Sequence, residues 1–283
     1  MATVNDPGDH LLKAGMAEKT PYLDITRWTK RFSDAIQLVE NTNPDSPVLF
    51  SSSWMAGIAP FIVMKCARSL EEVKQIEIDI LFSLKDKSGP NSVDYMDRLS
   101  VPYPITLNGQ EKNIRPMFNS KKIDFSTGRK VRTYNIDTPE QSTLPRFTGA
   151  GTVITRIAFD GYWSTKLLAL LVKSGIWKAI SGDRFKNLRQ SMLYNPGDGG
   201  EHRLKIKLSG LKNNQPTSID ALLIDPKGQT HLTALGTVIQ LERLLGLDGA
   251  PPPNSGVVFP ETDAQYDWGL KTLSSFGVST VIN

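Results

Sequence analysis

The residues with chemistry to offer gather at a few points of the chain. Ser51-Ser52-Ser53-Trp54-Met55-Ala56-Gly57 directly follows an apolar run. Small polar residues and a glycine between a strand and a helix let backbone approach a ligand, with helix N–H groups available for an anion. Ser53, Trp54 and Gly57 are therefore binding candidates, although the string also reads as a tight strand-to-helix connection. In Arg146-Phe147-Thr148-Gly149-Ala150-Gly151-Thr152 a guanidinium can grip a carboxylate bidentately beside close backbone, or the stretch is a loop entering a strand. Arg132 and Tyr134 share one strand face and either extend such a pocket or point outward. His202 and His231 are proton-carrier candidates, but neither shows a neighbouring carboxylate arranged for catalysis, so surface or capping roles are expected. The histidines at 10, 202 and 231 and the single Cys66 have no metal-ligand spacing, and no metal is expected. Cys66, between Ile62 and Leu70, reads as a buried thiol. No Gly-x-Ser-x-Gly string supports a hydrolase.

The elements that would position these groups follow from periodicity. A short helix over 10–15, after Asn5-Asp6-Pro7-Gly8, leads to a strand at 21–25 and a helix over 28–40 with Phe32, Ala35, Ile36 and Val39 on one face. A strand at 47–53 and a helix from 58 to 69 complete an α/β unit. The style changes after Leu70, where 73–84 alternates as a half-buried strand. Further strands are expected at 105–107, 130–136, 152–159, 203–209 and 218–224, the last two joined by a hairpin at 210–216. Helices are expected near 93–99, over 162–180 and over 232–245, with a stiff linker at 249–256, a helix at 267–276 and a strand at 278–282. Trp54, Trp163, Trp177 and Trp268 lie in apolar helical contexts and are expected in a core or subunit interface. The fold class is α/β plus α+β: a partial Rossmann-like region joined to a central, mixed, largely antiparallel sheet domain with helices.

With 283 residues and 39% hydrophobic content the chain can bury a sizeable core. A net charge of +4, from 33 basic and 29 acidic residues without a basic tract, argues against nucleic acid. Lys65, Lys166 and Lys173 interrupt the most apolar runs, none of which reaches the roughly 20 residues of a membrane span. No membrane partner is expected, and the single cysteine fits a reducing, cytoplasmic compartment.

Gly15, the string Thr20-Pro21-Tyr22-Leu23-Asp24-Ile25-Thr26, the stretches 48–58 and 228–245, and Gly256-Val257-Val258-Phe259-Pro260-Glu261 together resemble the saccharopine dehydrogenase-like NAD(P)-dependent oxidoreductases. The likeness runs through most of the chain in short pieces, with Tyr22-Leu23-Asp24 standing at that family's Tyr-x-Asp segment. It implies that residues 1–61 are the later part of a Rossmann-like domain. Residues 62–228 would then be a central substrate and dimerisation domain, and 229–283 a C-terminal helical segment packing back toward the first region. Asn5, Asp6, Ser53, Trp54 and Gly57 would line a cofactor cleft, with Tyr22, Asp24, Arg132 and Arg146 toward the substrate. Asn5 and Asp6 equally suit an Asx turn before Pro7.

No Gly-x-Gly-x-x-Gly string occurs, and those glycines are what let a turn press against a pyrophosphate. The resemblance thus implies NAD or NADP in a full-length protein and no tight binding of either by this chain. The leading expectation is part of such an oxidoreductase, incomplete for catalysis alone, homodimeric, with a small amino-acid-like or carboxylate substrate. The competing expectation is a non-enzymatic α/β small-molecule-binding or scaffold protein that has lost cofactor chemistry.

Overall fold

The computed structural model describes residues 1–86, 97–161, 163–181, 183–185, 187–189 and 197–283. The chain opens with α1 (His10–Ala17), β1 (Tyr22–Asp24), α2 (Thr29–Thr42), β2 (Pro47–Phe50) and α3 (Ile58–Ala67). It continues through β3 (Glu72–Phe82), β4 (Tyr103–Leu107), β5 (Gln110–Ile114), β6 (Ser120–Asp124), β7 (Lys130–Asn135), α4 (Glu140–Thr148) and β8 (Thr152–Phe159). Next come α5 (Ser164–Lys173), α6 (Ile176–Ala179), β9 (His202–Lys212), β10 (Gln215–Asp225), α7 (Gln229–Leu245), β11 (Gly256–Val258), α8 (Tyr266–Ser275) and β12 (Ser279–Ile282).

The elements divide between two main sheets. β1, β2 and β11 form a parallel sheet, with Val48 between Tyr22 and Val257, and Ala2 adds a one-residue parallel bridge beside Asp24. The second sheet is mixed and largely antiparallel, in the order β12-β10-β9-β3-β8-β7-β6, with β3 and β8 its parallel pair. β4 and β5 make a separate hairpin. This is an α/β plus α+β architecture.

Local chemistry accounts for the elements. α2 buries Phe32, Ala35 and Val39 from successive turns and stops at Asn43, whose left-handed φ of 48° precedes Pro44. β9 alternates buried and half-buried residues along its length, as a strand packed on one face must. Its hairpin to β10 turns at Asn213-Asn214, both at positive φ, the backbone a two-residue turn matching strand twist requires. α3 is buried nearly all round and, with α7 and α8, shares a core with the mixed sheet, whereas α1 and α2 pack with β1 and β2. Cys66 sits in that larger core, where burial pushes its thiol up to about 11.

Two expectations about elements are corrected. The apolar stretch after 162 is two helices, because Gly175 takes a φ of 81° and breaks it; Tyr162 itself lies outside the described residues. Arg146 is in the last turn of α4, not in a loop, and the stretch ends when Gly149 caps the helix at a φ of 71°. The helix expected at 93–99 falls mostly outside the described residues; within them a short 3₁₀ turn spans Arg98–Ser100. Trp177 is fully buried, but Trp163 and Trp268 are exposed, which leaves the subunit-interface alternative, and not the core, for those two.

Candidate functional site

Parallel strands release their chains on one edge, and that edge carries a continuous polar network. β1 ends at Asp24, which is 1% exposed. A carboxylate survives there because Tyr22 Oη donates to Oδ2 at 3.1 Å, Arg27 Nε to Oδ2 at 2.8 Å, and the Thr26 N–H to Oδ1 at 2.9 Å. Ser52 Oγ stands 3.3 Å from Oδ1 and accepts from the Arg27 N–H. Burial and the adjoining carboxylate raise the Tyr22 phenol far above its ordinary range. Arg27 also reaches Asp9 at 2.5 Å, and Arg31 binds Asp9, the Asp6 carbonyl and Asn5 Oδ1. Asp6 Oδ2 accepts from the Leu11 N–H at 2.7 Å, fastening the start of α1. Asn5 and Asp6 thus belong to the same edge as Tyr22 and Asp24 through a continuous network.

β2 runs into a turn at 51–57 whose last three residues, Met55, Ala56 and Gly57, all have left-handed φ values of 55°, 49° and 93°. The two non-glycine residues each carry roughly 1 kcal/mol or more of backbone strain. Surrounding contacts hold them in place. A Cβ on Gly57 would lie 2.5 Å from Ser51 Oγ and 2.9 Å from Pro260, so Gly57 serves close packing between this turn and the chain after β11. From α7, Gly236 approaches so closely that a Cβ would stand 2.2 Å from the Met55 carbonyl oxygen. The first N–H groups of α3 already bond to this turn: Ile58 to Met55 O, Ala59 to Trp54 O and Phe61 to Gly57 O. The turn leaves no open helix terminus and no open space at Gly57 for a pyrophosphate.

Trp54 fastens the turn at two points. Its backbone N–H donates to Glu140 Oε2 at 3.2 Å, and its indole N–H donates to His202 Nε2 at 3.2 Å. The Glu140 carboxyl is at the start of α4, just after Pro139, and is fully buried. Glu261, in the 3₁₀ turn Pro260–Thr262 after β11, is also buried and accepts a short hydrogen bond from Thr143 Oγ1. Arg243 of α7 secures this second turn by donating to Phe259 O at 2.8 Å and Thr262 Oγ1 at 2.7 Å. Burial lifts both glutamates to about 7, and the charge of Glu261 adds to the rise at Glu140. Among the described residues, Glu140 Oε1, Ser51 Oγ and Ser53 Oγ have no hydrogen-bond partner although all are buried. Two interior carboxyls titrating near neutrality are equipped to hold and move a proton.

The remaining candidates lie elsewhere. Arg146 is exposed on α4, with its guanidinium 5.8 Å from the ring centroid of Phe259 at the flank of this edge. Arg132 donates to Ser120 Oγ within the β6–β7 hairpin and is not drawn to the edge by any of these contacts. His202 is fully buried, contrary to a surface role, and burial lowers it to about 3. The reason is visible in β9, where His202, Leu204, Ile206 and Leu208 alternate onto the packed face. His231 does have a local carboxylate: its Nδ1 is 2.7 Å from Oδ2 of the buried Asp225, six residues earlier. Glu140 and Glu261 were missed, although Pro139 at the head of α4 marks a helix start at which an acidic residue is informative. Among the described residues, no three His, Cys, Asp or Glu side chains are placed to hold a metal ion.

No family model and no curated protein matches this chain. A solved structure described as a probable oxidoreductase, yhhX, is similar at 10% identity over 99% of this chain and 79% of that chain, with a TM-score of 0.26. That score is too low to assign a family or an activity.

Proposed function

We propose that this chain is the substrate-side part of an NAD(P)-dependent oxidoreductase of the saccharopine dehydrogenase-like kind. In this reading it acts on a small amino-acid-like or carboxylate substrate and is incomplete for catalysis alone. The observation that carries the reading is the proton-holding pair Glu140 and Glu261, set where the carboxyl ends of β1, β2 and β11 meet the helix that enters the mixed-sheet region. Open α/β sheets bind ligands at such an edge. The residue resemblance at Tyr22-Leu23-Asp24 and at Gly256 through Glu261 supports it further.

In this reading Glu140 is partly protonated at neutral pH and exchanges its proton through Oε1, while the Trp54 N–H holds the other carboxyl oxygen still. Ser51 and Ser53 supply hydroxyls that can turn toward that proton or toward a substrate oxygen. The Asp24–Arg27 network keeps the strand ends fixed around them. The closed turn at 51–57 does not fit a dinucleotide pyrophosphate, so this chain contributes substrate positioning and proton control.

Titration calorimetry with NADH, NADPH and small α-amino carboxylates tests the reading. The expected result is dinucleotide binding weaker than about 1 mM, with carboxylate binding whose pH dependence changes in Glu140→Gln. Micromolar dinucleotide binding with turnover would overturn the incompleteness. Absence of carboxylate binding at every pH would overturn the substrate-side reading.

A further inference from the structure

We propose that the outer face of α5 docks on an anionic lipid surface. This helix is fixed to the protein by Thr165, Leu168, Ala169 and Val172, all buried. Its opposite face presents Trp163, Leu167 and Leu170 at 67%, 57% and 62% exposure. Those positions recur at i, i+4 and i+7, so they form a single stripe along one side of the helix. Isolated exposed apolar residues are ordinary, but a stripe of three large ones on a rigid helix marks an interaction surface. Ile176 of α6, 50% exposed, follows the stripe, and the fully buried Trp177 beside it pins that turn to the core.

Within α5 and α6 the charged side chains are all lysines, with Asp160 and Asp183 just beyond the two ends. From residue 161 to 182 there is no aspartate or glutamate, while Lys166, Lys173 and Lys178 are all exposed. Lys166 Nζ lies 4.6 Å over the Trp163 ring.

This chemistry selects the occupant. A second copy meeting the face through a two-fold axis would set the same lysines against one another, and like charges oppose that contact. A lipid surface with anionic headgroups meets both requirements: acyl chains take the leucines, the indole occupies the interfacial layer, and the Lys166 and Lys178 ammonium groups reach the headgroups, while Lys173 Nζ lies over the Tyr134 ring at 5.5 Å. Among the described residues no helix is long and apolar enough to cross a membrane. Spanning is excluded for those helices, and lying on a surface is a different matter, met by a short amphipathic helix already held in place by its fold.

The test is co-sedimentation of the whole chain with phosphatidylcholine vesicles, with and without phosphatidylserine. Binding is expected only with phosphatidylserine, with salt weakening it and Trp163 emission shifting to the blue. The double variant Leu167→Glu, Leu170→Glu should lose binding by about tenfold or more while melting like the parent, since both positions are exposed. Lys178→Glu should weaken it in the same direction, and Trp163→Phe should remove the emission shift. No binding to anionic vesicles, or equal binding by the double variant, overturns the proposal. So does a dimer in sedimentation velocity that the double variant dissolves without any vesicle binding, which would give the face to a second copy.

Discussion

Glu140, Glu261 and His202 are three fully buried titratable groups, and their linkage to folding has opposite signs. Each glutamate is raised to about 7, so its contribution is fully present below its unfolded value and is lost as pH rises through 7. The loss is on the order of 3 kcal/mol for each carboxyl. His202 is lowered to about 3, so its contribution is present above its unfolded value and is lost as pH falls. Two carboxyls outweigh one imidazole, and from these groups stability should fall as pH rises from about 5 to 6.5. Replacing both glutamates by Gln keeps an acceptor for Trp54 and Thr143 and removes their two contributions, so the fall should become clearly shallower; urea unfolding at several pH values in that window reads it directly. A second consequence concerns Asp24. Arg27→Met strands a buried carboxylate and should lose about 3–5 kcal/mol, whereas Asp24→Asn combined with Arg27→Met should lose less, a difference visible in the urea midpoint.

Among the elements, the contact between α7 and the turn at 51–57 is the tightest point near the site. Gly236→Ala places a methyl group against the Met55 carbonyl, a backbone atom that cannot swing aside, and should destabilise by roughly 1–3 kcal/mol. Ala234→Ser, on the exposed side of the same helix, should stay within about 0.5 kcal/mol, and thermal melts of the two variants make the comparison. Much of this level was legible in the sequence. Apolar spacing gave α2 and α7, alternation gave β3, β9 and β10, and the turn residues after Ser209 gave their hairpin. β5 and β6 escaped because Gln110–Ile114 and Ser120–Asp124 are almost wholly exposed and show no apolar alternation. The helix break at Gly175 escaped because apolar residues continue on both sides of it. Of the polar edge, Ser53 and Trp54 were singled out by turn chemistry and Tyr22 and Asp24 by the resemblance alone, and a binding role for any of them belongs to the proposal. The glutamate pair was not legible, since Thr143 and Glu261 meet across 118 residues and no local pattern encodes that meeting.

At the level of the whole molecule, the Trp54 indole is the joint between the parallel sheet's turn and the first residue of β9. Its ring stacks on His202 at a 6.0 Å centroid separation, and Phe82 meets the same imidazole edge-on. Trp54→Phe leaves both nitrogens of a buried imidazole unpartnered among the described residues and should lower stability by about 1–3 kcal/mol. Because the joint ties both sheets together, calorimetry should still show a single transition in the parent, while the variant broadens it. The placement of β3 also bears on how the chain reaches this structure. It lies between β8 and β9, and its Asp79 meets Arg156 across 77 residues of chain. Loop closure over such distances is slow to be rewarded, so folding should take milliseconds to seconds rather than microseconds. During synthesis the strand from Ile76 to Phe82 can pair one edge once β8 has emerged, but its other edge must wait until β9, beyond residue 200, has left the ribosome. A chaperone that shields unpaired strand edges would therefore have a reason to hold the nascent chain at β3 until β9 arrives.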